Sequence, residues 1–267
     1  PLHITLLIAA GAAIGFCIGM TAIGGGILAV STLALGFGLD PSMAVGTASL
    51  YTFLTKIFAT YRHFMLGTIR FRLSAFFLMG AIPGDVIAAW VVNERAGTQD
   101  PEVRLLFQQD LMVLIGCAML LGSALLIWTL IKGRRIQHIM RETVIRLLAS
   151  ALLGIVVGAI IGATALGAGI LGIPVLLLCF RLPATQSVGT CVFIGLILTL
   201  VSSLIYGNAG QLHILSAVLM SLGSIPGVYC GSQLTARLPE TKLRLLLTLV
   251  IFAAGFAILY QSFHPNL

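Results

Sequence analysis

Charge along this chain is gathered into a few short clusters, and the stretches between them are apolar for almost their whole length. Only 9% of the 267 residues are Asp, Glu, Lys or Arg, while 59% are hydrophobic and the mean hydropathy is +1.10. A water-soluble domain needs far more polar surface than that, so lipid must face most of this protein. Apolar runs fall at residues 4–20, 24–37, 45–61, 73–92, 111–131, 147–162, 166–180, 187–206, 213–234 and 243–262. A helix needs about 20 residues to cross a hydrocarbon core about 30 Å thick. The second and seventh runs are too short to cross upright, and each adjoins its predecessor across a glycine-rich stretch. Each such pair reads either as two tilted passes or as one hairpin turning inside the protein. The expected fold class is an all-α, multi-pass integral membrane protein.

That class disposes of several other readings. Cys17, Cys117, Cys179, Cys191 and Cys230 all lie in apolar runs without a C-x-x-C pair, and they read as small buried hydrophobes. No metal and no cofactor is expected. The net charge of +7 reads as the excess of Lys and Arg on cytoplasmic loops, not as a nucleic-acid surface. The first apolar run has no basic region before it and continues into a glycine motif, so it reads as a span and not as a cleaved leader.

The glycine stretches are two copies of one pattern. MTAIGGGILAV at 20–30 and ATALGAGILGI at 163–173 stand 143 positions apart. At the same offset Val45-Gly46-Thr47 matches Val188-Gly189-Thr190, Gly67 matches Gly210, and Gly80 to Gly84 (GAIPG) matches Gly223 to Gly227 (GSIPG). Register held without a gap over that distance indicates duplication. The expected organisation is a first transmembrane repeat at 1–131, a basic cytoplasmic linker at 132–146, and a second repeat at 147–267.

Loop charge gives the relative orientation of the repeats. The linker carries Lys132, Arg134, Arg135, Arg141 and Arg146 against the single acid Glu142, which places it in the cytoplasm. The loop around Arg62, Arg70 and Arg72 is basic, and the loop from Asn93 to Asp110 is acidic on balance. In the second repeat the bias reverses: Tyr206 to His213 holds no Lys or Arg, and the next loop holds Arg237, Lys242 and Arg244 with Glu240. Equivalent loops of opposite bias point to an inverted-topology repeat, with broken helices or re-entrant hairpins at the glycine motifs and both termini on the outer side.

In hydrocarbon every backbone N–H and C=O needs a partner, so a non-helical glycine stretch persists only where protein buries it or it lines a wet cavity. Close packing of helices through small residues is one reason to place glycine there. The other is a site at which broken helices aim free N–H groups at an anion near the midplane. Thr21 and Thr164 adjoin the two breaks and add a hydroxyl donor without adding charge. The candidate binding residues on this reading are Thr21, Gly24, Gly25, Gly26, Gly46, Thr47, Thr164, Gly167, Gly169, Gly189 and Thr190. Neither copy has the G-x-x-x-x-G-K-[ST] spacing of a phosphate loop.

The paired pattern resembles the sulfite exporter TauE/SafE (TSUP) family of membrane permeases. TAIGGGILAV, AVGTAS at 44–49, the basic loop ending in Gly67-Thr68-Ile69, and GAIPGD at 80–85 carry the resemblance in the first half. TALGAGILGIP, SVGT at 187–190, NAGQL at 208–212 and GSIPG carry it in the second. It covers nearly the whole chain and implies movement of sulfite, sulfonates or related organosulfur anions, usually outward, across the bacterial cytoplasmic membrane. Two departures stand out: Ala168 replaces the central glycine of the first motif, and Asp85 stands where the second half has Val228.

Lys56 and Asp85 are the two charges well inside expected spans, where an ionisable group is costly and is a functional candidate by default. Lys56 is read as attracting the anion, and Asp85 as its ion-pair partner or as the carrier of a coupling proton. A snorkelling lysine and an aspartate at a wet kink are the structural alternatives. Pro83 and Pro226 are expected to kink equivalent helices, and His63 and His213 to sit at opposite membrane surfaces. Tyr51, Trp90 and Trp128 read as interface anchors or packing residues. The expected function is secondary transport, with a small sulfur-containing anion and the lipid bilayer as partners and no nucleic acid. A carrier or channel for another small anion is the alternative. An intramembrane enzyme has no H-E-x-x-H or G-x-S-x-G motif to rest on.

Overall fold

In a computed structural model of the chain, the described residues are 2–21, 25–98, 100–132, 144–165, 169, 171–173, 175–176, 180, 182, 184–235 and 240–263. Every regular element among them is a helix. These are α1 (Leu2–Thr21), α2 (Gly25–Ser31) running into a π-helical turn (Thr32–Gly36), α3 (Pro41–Met65), α4 (Phe71–Ala96), α5 (Pro101–Lys132), α6 (Val144–Thr164), α7 (Ala184–Asn208), α8 (Ile214–Thr235) and α9 (Glu240–Phe263). Among the described residues three helices are long and apolar enough to cross a membrane: Phe71–Ala96, Leu105–Leu125 and Gln186–Asn208. Five shorter apolar helices join them. The outward surface is rich in large apolar side chains such as Phe58, Met79, Leu105, Leu152 and Ile225, as expected of a surface in contact with lipid.

Helix ends follow local chemistry. Pro41 opens α3 at a position where its missing N–H costs nothing. The α3 terminus is closed by Gly67 in a left-handed conformation (φ 62°), with Gly67 N–H donating to Phe64 O at 3.0 Å and Thr68 N–H to His63 O at 3.2 Å. The α7 terminus repeats this at Gly210 (φ 72°), with bonds to Gly207 O at 3.1 Å and from Gln211 N–H to Tyr206 O at 2.9 Å. Both are the two-bond glycine cap that satisfies the last carbonyls of a helix, and they stand 143 positions apart. One sequence expectation is corrected. The stretch from Asn93 to Asp110 is mostly helical, since α4 runs to Ala96 and α5 begins at Pro101. Polar residues there extend the helices rather than ending them, because charge marks a change of solvent and not a break in backbone pairing. Pro83 and Pro226 both lie within continuous helices, α4 and α8.

Glycines set the main helix contacts, and the contacts repeat at the 143-residue offset. A methyl group added at Gly11 or Gly15 of α1 would strike the backbone of Met220 or Ser224 in α8. One at Gly223 or Gly227 would strike Ile8 or Ala12 in return. In the other pair, Gly154 and Gly158 of α6 lie on Phe77 and Ala81 of α4, while Gly80 and Gly84 lie on Ala151 and Ile155. Each pair therefore runs parallel, with backbones close enough to exclude any side chain at four positions. Between α3 and α7 the direction is opposite. Gly46, near the start of α3, packs on Tyr206 and Gln211 at the end of α7, and Gly189 packs on Thr68 beyond the end of α3. Helices α5 and α9 are also antiparallel, tied by Gln109 Nε2 donating to Ser262 O at 2.7 Å. The first helix of each half is thus held by a helix of the other half.

Candidate functional site

One face of α3 carries Thr52, Thr55, Lys56, Ala59 and His63, the three- and four-residue spacing that aligns side chains along a helix. With Arg62 they line a cavity of 250 Å³. Opposite them lie Gly25 and Gly26 at the start of α2 and Gly169 of the second glycine motif, with Val192 of α7 and Val228 of α8 closing the sides. The two glycine motifs meet here: a Cβ on Gly26 would strike the Ala165 carbonyl and come within 3.3 Å of Thr52 Oγ1. Ala165 itself takes a left-handed conformation (φ 51°) as α6 ends, its N–H bonded to Ile161 O at 2.7 Å.

The cavity wall is cationic. Lys56 is half-buried as a residue, but its ammonium nitrogen is out of solvent contact and has no hydrogen-bond partner. Thr52 Oγ1 is in the same condition. A buried ammonium with three unused donors is a strong attractor for an oxyanion, because an unpaired buried charge is costly and a charge-assisted bond relieves it. Arg62 and Leu66, exposed at the end of α3, form the mouth. His63 is held at the wall by a 2.9 Å hydrogen bond between Nδ1 and Thr68 Oγ1. Pockets for drug-sized ligands run to about 300–1,000 Å³, so this smaller space suits a small ion.

Of the residues singled out in the sequence, Gly25, Gly26, Gly169 and Lys56 come together at this cavity. Gly24, Gly167 and the side chain of Thr21 lie outside the described residues, as do Ala168 and most of the basic linker. The other motif residues are engaged elsewhere. Thr47 accepts the His213 N–H at 3.0 Å, and Thr190 accepts the Arg70 N–H at 3.2 Å. With Gly46 and Gly189 these threonines join α3 to α7 and do not reach the cavity. Thr164 is fully buried, its hydroxyl donating back to Ile160 O.

Asp85 does not pair with Lys56. It is fully buried where α4 meets α6 and α7, and its Oδ1 accepts the Ser202 hydroxyl at 2.7 Å. The backbone of Gly162 lies against it, and Tyr206 OH donates to Gly162 O at 2.8 Å. Thr52, Arg62 and His63 were missed as site residues. Their signal was the helical spacing from Lys56, which needs knowledge of which α3 face meets the glycine breaks. Among the described residues no group of three or more His, Cys, Asp or Glu side chains could hold a metal.

A small, cationic, glycine-walled cavity inside an apolar helical bundle fits the comparisons with known proteins. The sequence model of the family described as Sulfite exporter TauE/SafE matches residues 7–258. The chain belongs to the sulfite exporter TauE/SafE family. This TauE/SafE member is 28% identical over 253 residues to the "Probable membrane transporter protein YjnA" of Bacillus subtilis (strain 168), covering 95% of this chain and 98% of that one. It is 26% identical over 263 residues to a "Probable membrane transporter protein" of Xylella fastidiosa (strain Temecula1 / ATCC 700964), covering 96% and 94%. No solved structure gives a significant match. The TauE/SafE chain is accordingly a helical membrane protein of a transporter family.

Proposed function

We propose that this protein is a secondary transporter that exports sulfite or a related small organosulfur anion across the bacterial cytoplasmic membrane. The observation that carries the reading is Lys56, which lines a cavity walled by both glycine motifs and whose ammonium is buried and unpartnered. Sulfite and sulfonates present three oxygens to such a group. The family description supplies the sulfur chemistry, and Arg62 at the mouth draws anions toward the lysine.

The two halves form an inverted-topology repeat that alternates access to this cavity. The antiparallel course of α3 and α7, the parallel pairs α1–α8 and α4–α6, and the reversed loop charges support that arrangement. On the positive-inside reading the Arg62–Arg72 side and the 132–146 linker are cytoplasmic, and both termini lie outside. The cavity mouth at Arg62 and Leu66 then faces the cytoplasm, the side from which an exporter loads. Rocking of one repeat against the other closes this mouth and opens its counterpart.

Counterflow of labelled sulfite in proteoliposomes tests the reading, with unlabelled sulfonates, sulfate and acetate as competitors. Transient accumulation of label, competed by sulfonates, is expected. Flux without counterflow identifies a channel. Accumulation competed by acetate or sulfate but not by sulfonates reassigns the cargo.

A further inference from the structure

The 143-residue exchange that relates the two halves carries the Lys56 cavity onto a second place in the protein. Val228, a wall of the open cavity, maps onto Asp85, and Lys56 maps onto Thr199, one turn from Ser202. The cavity mouth at Arg62 and Leu66 maps onto Ile205 and Ala209. A separate surface pocket of 380 Å³ stands at that mapped mouth, lined by Trp90, Asn93, Glu94, Ile205, Asn208 and Ala209. Between this pocket and Asp85 the route is closed, since Asp85 is 0% exposed. In an inverted repeat the opposite-facing state is the one in which each half takes the shape the other has now. That exchange would give Asp85 the half-buried, cavity-lining position now held by Val228.

The Asp85 carboxyl is built for a proton rather than a metal ion. Oδ1 is taken by Ser202, and Oδ2 is buried without a partner. A sodium-sized cation needs several further oxygens, and the nearby Gly162 carbonyl is already occupied by Tyr206. The α7 groups near Asp85 are Ser202 and Tyr206, and α6 presents the Gly162 backbone. Within two turns of Asp85 α4 carries no other charge, nor do the facing stretches of α6 and α7 at 155–164 and 195–206. A lone carboxyl sealed from water takes a proton when it is closed in and gives it up when water reaches it.

We propose that Asp85 is a proton switch on transport, gaining and losing its proton with water through the Trp90–Ala209 pocket on the face opposite the Lys56 mouth. This rests on the transporter reading above. One proton adds to Oδ2 from water on that face and returns to water on that face, and no other bond changes.

The test joins two measurements on the protein in liposomes. Infrared difference spectra across neutral pH should show a protonated-carboxyl band that is absent in Asp85→Asn and displaced in Ser202→Ala. Labelled sulfite flux should respond to the pH of the compartment facing the Trp90–Ala209 pocket and not to that of the opposite compartment, lose that response in Asp85→Asn, and regain part of it in Asp85→Glu with a displaced pH midpoint. Sulfite itself titrates near neutrality, so the readout is the difference between wild type and variant at each pH. An infrared titration without an Asp85-dependent band overturns the proposal, as does an unchanged pH response in Asp85→Asn. Absence of wild-type counterflow at equal pH overturns the transporter reading instead, and the infrared result stands independently of it.

Discussion

His213 donates its backbone N–H to Thr47 Oγ1 at 3.0 Å, tying the segment after α7 to the first turns of α3. The same bond recurs between Arg70 and Thr190 at 3.2 Å. Both threonines are fully buried, and each hydroxyl holds a backbone donor of the facing segment. Replacing either by valine keeps the shape and loses that bond, at a cost of about 0.5–1.5 kcal/mol. Thr47→Val and Thr190→Val are expected to lower the thermal unfolding midpoint by similar amounts in detergent, without loss of helix content by circular dichroism.

The glycine contacts give a second paired prediction. Gly15→Ala and Gly158→Ala place a methyl against the backbones of Ser224 and Ala81, where no flexible side chain can give way. Overpacking of this kind costs about 1–3 kcal/mol. Both variants should unfold earlier on heating. Gly207→Ala, whose new methyl meets only Leu212 Cδ1 at 3.7 Å, should be tolerated or gain about 1 kcal/mol from helix propensity. Equal tolerance of all three would remove the close backbone approach from the account.

These pairs explain what the sequence made visible and what it hid. The offset between halves was legible because close packing fixes glycine at particular places, and Gly80, Gly84, Gly223 and Gly227 cannot drift. Gly25, Gly26, Gly169 and Lys56 were readable because triple glycine and a lone charge are both costly in lipid. Gly46-Thr47 and Gly189-Thr190 looked the same as site residues, because a glycine–threonine pair is spelled alike whether it approaches a ligand or a neighbouring helix. Thr164 was misleading for a related reason: a threonine hydroxyl is as able to bond its own helix at Ile160 as to meet an anion. Thr52, Arg62 and His63 depend on which side of α3 faces the breaks, and residue spacing alone carries no such azimuth.

The proposed inverted arrangement predicts opposite accessibility for matching positions. Leu66 and Ala209 stand at equivalent, exposed places beyond the ends of α3 and α7. In a cysteine-free background, Leu66→Cys should react with a membrane-impermeant maleimide only in inside-out vesicles. Ala209→Cys should react only in intact spheroplasts. Labelling of both from one side would show that the halves are parallel.

The most direct test of the account is equilibrium binding of labelled sulfite to the purified protein and to Lys56→Met. A hydrogen bond to a charged group contributes about 1.5–3 kcal/mol, so loss of the ammonium should weaken binding by about tenfold to a hundredfold. Lys56→Arg, which keeps the charge, should retain most of the affinity. Unchanged affinity in Lys56→Met would contradict the assignment of the Lys56 cavity as the anion site.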